Sequence, residues 1–313
     1  MPDASDRIRA VLDDAVAVAR ENVEGQPAAY IPELAKAPLE ATSAAITLVD
    51  SGTVSAGDAG WHRFTLQSSA KVLLLAGLLE ERGAEEVFSV VGTEPSGSSF
   101  ASLARLEDDP KPSNPLINAG AIALCGLLDG SLEDRLAFLE RWTERLCGAP
   151  LPVDQKVLAS QRRTGDRNRA IAYLLRAIGT LRSTVEDTLE TYFALCSIQA
   201  TVLEASRLPA VLASGGLDEG KERVLSPETA ATVVALMATC GMYDESGAHL
   251  VETGLPAKSG VSGVIVAVAP GRGGIAVASP RVNARGGSVR GHLMLRRISK
   301  ELGWHLARPA TTG

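Results

Sequence analysis

No stretch of this 313-residue chain is both long and apolar enough to read as a membrane-spanning helix. Basic charge is in deficit as well. There are 31 Lys and Arg against 37 Asp and Glu, a formal net charge of -6, which leaves no footprint for nucleic acid or an acidic membrane surface. Cys125, Cys147, Cys196 and Cys240 form no C-x-x-C pair, and they read as buried thiols of a reducing compartment. His62, His249, His292 and His305 lack metal-ligand spacing, so no metal is expected and each reads as structural or surface. Near the start stand Asp3, Asp6, Arg7, Arg9, Asp13 and Asp14, where a signal peptide needs an apolar core, so a cytoplasmic protein is the expectation. Only 4% of the chain is aromatic while 45% is hydrophobic, which reads as an ordinary globular chain large enough for one big core or two lobes.

The chain is organised around Phe64 to Gly83, FTLQSSAKVLLLAGLLEERG. Val72 to Leu79 are good helix formers with no polar stripe, which predicts a buried helix ending at Gly83. Ser68 and Lys71 then lie in its first turn, three residues apart and on one face. A serine hydroxyl becomes a nucleophile when a base takes its proton, and a lysine amine does this once burial lowers its pKa. Helix N-terminal N–H groups point at the same corner, where an acyl-transfer oxyanion develops. On the motif alone a plainer reading stands: Ser68 caps the helix and Lys71 extends to solvent.

Ile8, Leu12, Val16 and Ala19 recur at helical spacing, and Ala45–Val49 with Thr53–Ala56 read as a hairpin across Asp50-Ser51-Gly52. Tyr30 falls in a loop, where packing is the default role. A polar, Pro-rich stretch follows at Asp108 to Pro115, and residues 116 to 240 read as helices. One opens at Ser131-x-x-Asp134, another at a Ser183-x-x-Glu186 capping box, a third runs from Thr201 to Leu212, and a fourth starts at Ser226-Pro227. Strands return at Val264–Ala269 and Ile275–Ser279, before a last helix from Val289 to Trp304. Strands at both ends must pair with each other. The expected fold is therefore α+β, an antiparallel sheet flanked by helices with an inserted helical subdomain. Residues 1–100 and 225–306 form the sheet lobe, 101–224 the insertion and 307–313 a tail, with a cleft between lobes.

Lys258-Ser259-Gly260 precedes the third predicted strand. Together with Ser68-x-x-Lys71 it resembles the penicillin-recognising serine hydrolases, in which a Lys-Ser/Thr-Gly strand faces the nucleophile. A closer likeness is spread over seven ordered blocks: FTLQSSAKV, VGTEPSG, NPLINAGAI, TGDRN, YFALCS, CGMYD and LPAKSGVSG. From Tyr30 to about His292 the chain resembles the serine-dependent glutaminases of bacteria and mitochondria. The resemblance implies a beta-lactamase/transpeptidase-like fold and cofactor-free hydrolysis of L-glutamine through a glutamyl-serine intermediate. It implies Ser68 as nucleophile, Lys71 as base, Tyr192 and Tyr243 as proton relays, and Lys258, on the strand facing the nucleophile, as a further catalytic residue. Tyr30 would close the pocket, and the N–H groups of Ser68 and Val261 would form the oxyanion hole. Asn118, Gln161, Asn168 and Tyr192 would hold the amino-acid end. A homo-oligomer, dimer or tetramer, is implied too.

Taken singly, these residues have other readings. Asn118 beside Ala119-Gly120 reads as a helix cap, Tyr192 is in register with Leu189 and Leu195 as core, and Lys258 suits a solvated strand end. Only the combination favours a site. One departure stands out: where the family carries a glutamate for the substrate's α-ammonium, this chain has Gln161, which keeps an acceptor oxygen and loses the charge. The expectation is weaker glutamine binding, or a substrate with a blocked or missing α-amine; in the milder reading a nearby acid compensates. Val264, where the family usually has a further glycine, is expected to alter only strand packing. A different amide substrate on the same fold, and a non-catalytic amino-acid-binding homologue, remain as alternatives. A penicillin-binding role is disfavoured by the missing export signal.

Overall fold

In the computed structural model, which describes residues 4–96 and 111–308, five strands form one antiparallel sheet. They are β1 (Ser43–Leu48), β2 (Gly52–Gly57), β5 (Ala257–Gly260), β6 (Val264–Ala269) and β7 (Gly273–Ala278), in the order β2-β1-β7-β6-β5. The first two strands thus pair with the last ones. Ile46 of β1 stands between Val54 of β2 and Ile275 of β7. β3 (Phe64–Thr65) and β4 (Gln199–Ala200) make a separate two-stranded pair.

Side-chain alternation explains why β6 and β7 are apolar throughout: both faces of the sheet are covered. One face, with Ile46, Ile265, Ala267 and Val277, packs on α1 (Ala4–Glu21) and α12 (Val289–Leu302) through Leu12, Val16, Met294 and Ile298. The other, with Val264, Val266, Val268 and Ala276, joins the larger helical core. At the centre of that core is α2 (Lys71–Val90), whose residues Val72 to Leu79 are all buried. Each leucine there contributes about 1.5–3 kcal/mol of burial. α2 crosses α4 (Leu132–Cys147) at Gly77, where a Cβ would lie 2.8 Å from the rings of Phe138 and Trp142. This antiparallel sheet covered by helices is the beta-lactamase-like architecture expected from the sequence.

Several local expectations need correction. The apolar helix does break at Gly83 as expected (φ 79°, ψ 165°), but a second helical segment, not foreseen, continues α2 to Val90, with Val87 and Val90 buried to hold it down. The helix expected from Ser183 is α7 (Val185–Cys196), capped by Thr184, whose Oγ1 accepts from Asp187 N at 3.1 Å. Ser183 is taken by the Arg135 guanidinium instead. The single helix expected over Thr201–Leu212 is two, α8 (Val202–Ala205) and α9 (Arg207–Ala213), since Pro209 has no N–H to offer the carbonyl of Ala205. Lys258-Ser259-Gly260 is itself part of a strand, β5. The Ser131 and Ser226 caps are as expected. Gly97, Asp108 to Pro110 and the proposed 100/101 lobe boundary lie outside the described residues.

Candidate active site

The loop that carries Ser68 is fixed before α2 begins. Thr65 pairs with Gln199, Leu66 N donates to Ile198 O at 2.7 Å, and Ser262 Oγ donates to Thr65 O at 2.6 Å. A 3₁₀ turn, Gln67–Ala70, then leads into α2 at Lys71. Gln67 opens it at φ 48°, a left-handed conformation that strains a residue with a Cβ. β5 lies against this loop at Gly260, where a Cβ would come within 2.5 Å of Leu66 O. That close approach is the physical reason for glycine after Lys258-Ser259.

Both lysines are fully buried, so the solvent-exposed alternatives for Lys71 and Lys258 do not hold. Lys71 Nζ donates to Asn118 Oδ1 at 2.7 Å, Leu116 O at 3.3 Å and Tyr243 Oη at 3.4 Å. Burial lowers its pKa from 10.5 to about 8. Lys258 Nζ donates to Ser259 O at 2.9 Å and lies 3.9 Å from the centroid of the Tyr243 ring. Burial first, and the nearby Lys71 charge second, push its pKa well down. Tyr243 connects these groups: its hydroxyl bonds with Ser68 as well as Lys71. Burial pushes the phenol up, and the Ser68 bond works in the opposite direction. Tyr243 is itself held at φ 57°, a second strained residue against the same serine.

Asn118 is the first residue of α3 (Asn118–Cys125), yet it does not cap it. Ile117 holds the cap position, and Asn114 closes the turn before it, its Oδ1 accepting from Leu116 N and Ile117 N at 3.0 and 3.2 Å. The Asn118 amide is therefore available to bridge Lys71 on one side and Asn168 Oδ1, at 3.1 Å, on the other. Asn168 comes from the first turn of α6 (Asp166–Ala177), and Gln161 from α5 (Gln155–Thr164) just before it. Gln161 is buried, and its Nε2 donates to Ser197 Oγ at 3.0 Å, which leaves its carbonyl oxygen for the cavity. Tyr192 is buried on α7, as the packing reading had it, and lines the cavity nonetheless. Tyr30 is exposed by 56% and closes one side.

All of Tyr30, Ser68, Asn118, Gln161, Asn168, Tyr192, Tyr243 and Val261 line one cavity of about 360 Å³. Lys71 and Lys258 stand behind it. A hydroxyl with a hydrogen-bonded phenol, and a lysine whose pKa approaches neutrality, form a nucleophile with a base. Sequence reasoning missed Gln67, Thr164, Arg167 and Cys196 as cavity residues. Cys196 was legible: it is four residues from Tyr192, hence on the same helix face. Its thiol is pushed up by burial to about 11 and is no nucleophile at neutral pH. Gln67 needed the backbone turn to be seen. The histidines have structural partners: His62 Nδ1 is 3.0 Å from Ser43 Oγ, and His249 and His292 face each other at 3.3 Å.

Residues 25–306 match the glutaminase family. The glutaminase of Legionella pneumophila strain Corby is 50% identical over 301 residues, 96% of this chain and 97% of that protein. The Clostridium tetani glutaminase is 41% identical over 89% of this chain and 92% of its own length. Among solved structures, the probable glutaminase ybaS superposes with a TM-score of 0.94 at 36% identity, covering 98% of this chain and all of its own. Mglu in its glutamate form gives 0.92 at 35% identity, over 96% of this chain and 70% of its own. With the buried lysines, the serine loop and the cavity in the arrangement described, this chain belongs to the glutaminase family of amide hydrolases.

Proposed function

We propose that the protein hydrolyses the side-chain amide of L-glutamine to L-glutamate and ammonia through an ester on Ser68. The Ser68 proton passes to the neutral Lys71 amine, with Tyr243 as relay, while Oγ bonds to the amide carbon. The resulting oxyanion is held by the backbone N–H groups of Ser68 and Val261. The proton moves on to the amide nitrogen, the C–N bond breaks and ammonia leaves. Water then adds to the ester carbon, giving its proton to the same relay, and the C–O bond to Ser68 breaks as the relay returns that proton to Ser68 Oγ. Asn118, Asn168 and Tyr192 hold the amino-acid end, Gln161 offers its carbonyl oxygen, Tyr30 closes the pocket, and Lys258 supports the Tyr243 ring.

The observation that carries this reading is the convergence of these side chains on one cavity, in front of two fully buried amines. No ion pair offsets those amines among the described residues, so burial favours their basic forms. That Mglu has a glutamate form supports a pocket that accommodates glutamate. The test is ammonia release from L-glutamine by the wild type and by Ser68→Ala. Turnover that vanishes in a folded Ser68→Ala supports the assignment; undiminished release would refute it. Two lobes, residues 1–100 with 225–306 and residues 101–224, are part of the same proposal. So are a cytoplasmic location and a homodimeric or tetrameric state, which sedimentation would check; no described helix is long and apolar enough to cross a membrane.

A further inference from the structure

The cavity has an uneven charge inventory. No Asp or Glu is among the described residues that line it. Arg167 is on its wall, and the Lys71 and Lys258 amines lie behind Ser68. Burial holds Lys258 in its neutral form and lets Lys71 be cationic only below about pH 8, so what the described lining offers is no negative charge, either to bind an ammonium or to repel a carboxylate. A free amino acid brings both groups. Its carboxylate meets no like charge in the described lining. Its α-ammonium must give up water in exchange for neutral acceptors, chiefly the carbonyl oxygen of Gln161, because Ser197 holds the amide nitrogen at 3.0 Å. A hydrogen bond to a buried neutral acceptor offsets only part of the loss on desolvating a charge.

Resting on the hydrolase reading above, we propose that this pocket selects its substrate by the amide and the carboxylate and is nearly indifferent to the α-ammonium. It would then accept a second class of substrate, γ-carboxamides of aliphatic acids that carry no charged α-nitrogen, of which glutaramic acid is the simplest. The reaction balances as for glutamine: water is consumed, the C–N bond is broken, and glutarate and ammonia are released. Gln161 is the specificity-determining residue in this account. Its role is to tolerate, and not to demand, a positive group.

The experiment compares kcat/KM for L-glutamine and glutaramate, by ammonia release, in the wild type and in Gln161→Glu. The expected wild-type ratio lies within about tenfold. In Gln161→Glu the ratio shifts toward glutamine by about 10- to 100-fold, the factor one charged hydrogen bond supplies. A wild type that prefers glutamine by more than about 100-fold overturns the inference whatever the variant does, so an unfolded variant leaves the test intact. An unchanged ratio in a folded Gln161→Glu overturns the role of that residue. Glutamine turned over and glutaramate inert defeats this inference alone. Neither amide turned over by folded protein defeats the hydrolase reading beneath it.

Discussion

Lys71→Met separates what the buried amine does for chemistry from what it does to stability. In the native protein burial lowers the Lys71 pKa to about 8, against 10.5 when exposed. The unfolded chain thus binds more protons than the native one between those values, and stability rises with pH across that window. The unfavourable contribution is fully present below about pH 8 and has gone above about pH 10.5. Between about pH 7 and about pH 10 the wild type should gain roughly 2 to 3 kcal/mol that Lys71→Met does not. Methionine keeps the length of the chain, and the loss of the bonds to Asn118 and Leu116 is a pH-independent offset that cancels in the comparison. Lys258 is present in both proteins, and the chief cause of its own depression, burial, is left in place by the substitution. Urea unfolding at the two pH values measures the difference directly. A gap between the proteins that stays constant to within about 0.5 kcal/mol would show that Lys71 is not depressed, and the argument for it as base would fall with it. In the same protein kcat/KM should rise through about pH 8 as the amine becomes neutral, and Lys71→Met should lose turnover at every pH.

Tyr243→Phe removes the hydroxyl that joins Ser68 and Lys71 but keeps the ring under Lys258. A fall in kcat of about 100- to 10,000-fold is expected, and a fall of less than threefold would exclude a proton relay. Gly260→Ala forces β5 away from Leu66 O, and about 1 to 3 kcal/mol should be lost along with activity; a variant as stable and active as the wild type would contradict the close approach. Ser131→Ala removes the capping box of α4, far from the cavity, and should lower stability by about 1 kcal/mol with kinetics unchanged. A change in KM there would reveal coupling between α4 and the site that the contacts described above do not contain.

Much of this protein is written locally. The aliphatic run after Lys71, the helical spacing of Ile8, Leu12 and Val16, the apolar strand runs and the Ser131 and Ser226 caps all follow from short-range rules, and each appears where those rules predict it. The expected direct pairing of Ser68 with Lys71 in one helical turn does not appear: Ser68 lies in the 3₁₀ turn before α2, and Tyr243 joins it to Lys71. Other features have no local signature. Whether Ser183 or Thr184 caps α7 was decided by Arg135, 48 residues away from Ser183. Asn118 and Asn168, fifty residues apart, meet only because α3 and α6 pack on each other. Sequence by itself determined which groups are present and which secondary structure carries them. Tertiary structure alone decided that Lys71 and Lys258 are wholly out of water, that Tyr243 stands between serine and amine, and that Gln161 lines the cavity with its amide nitrogen held by Ser197. The physical reason is that pKa and hydrogen-bond direction depend on what surrounds a group from all sides, and for a buried group those surroundings come from distant parts of the chain.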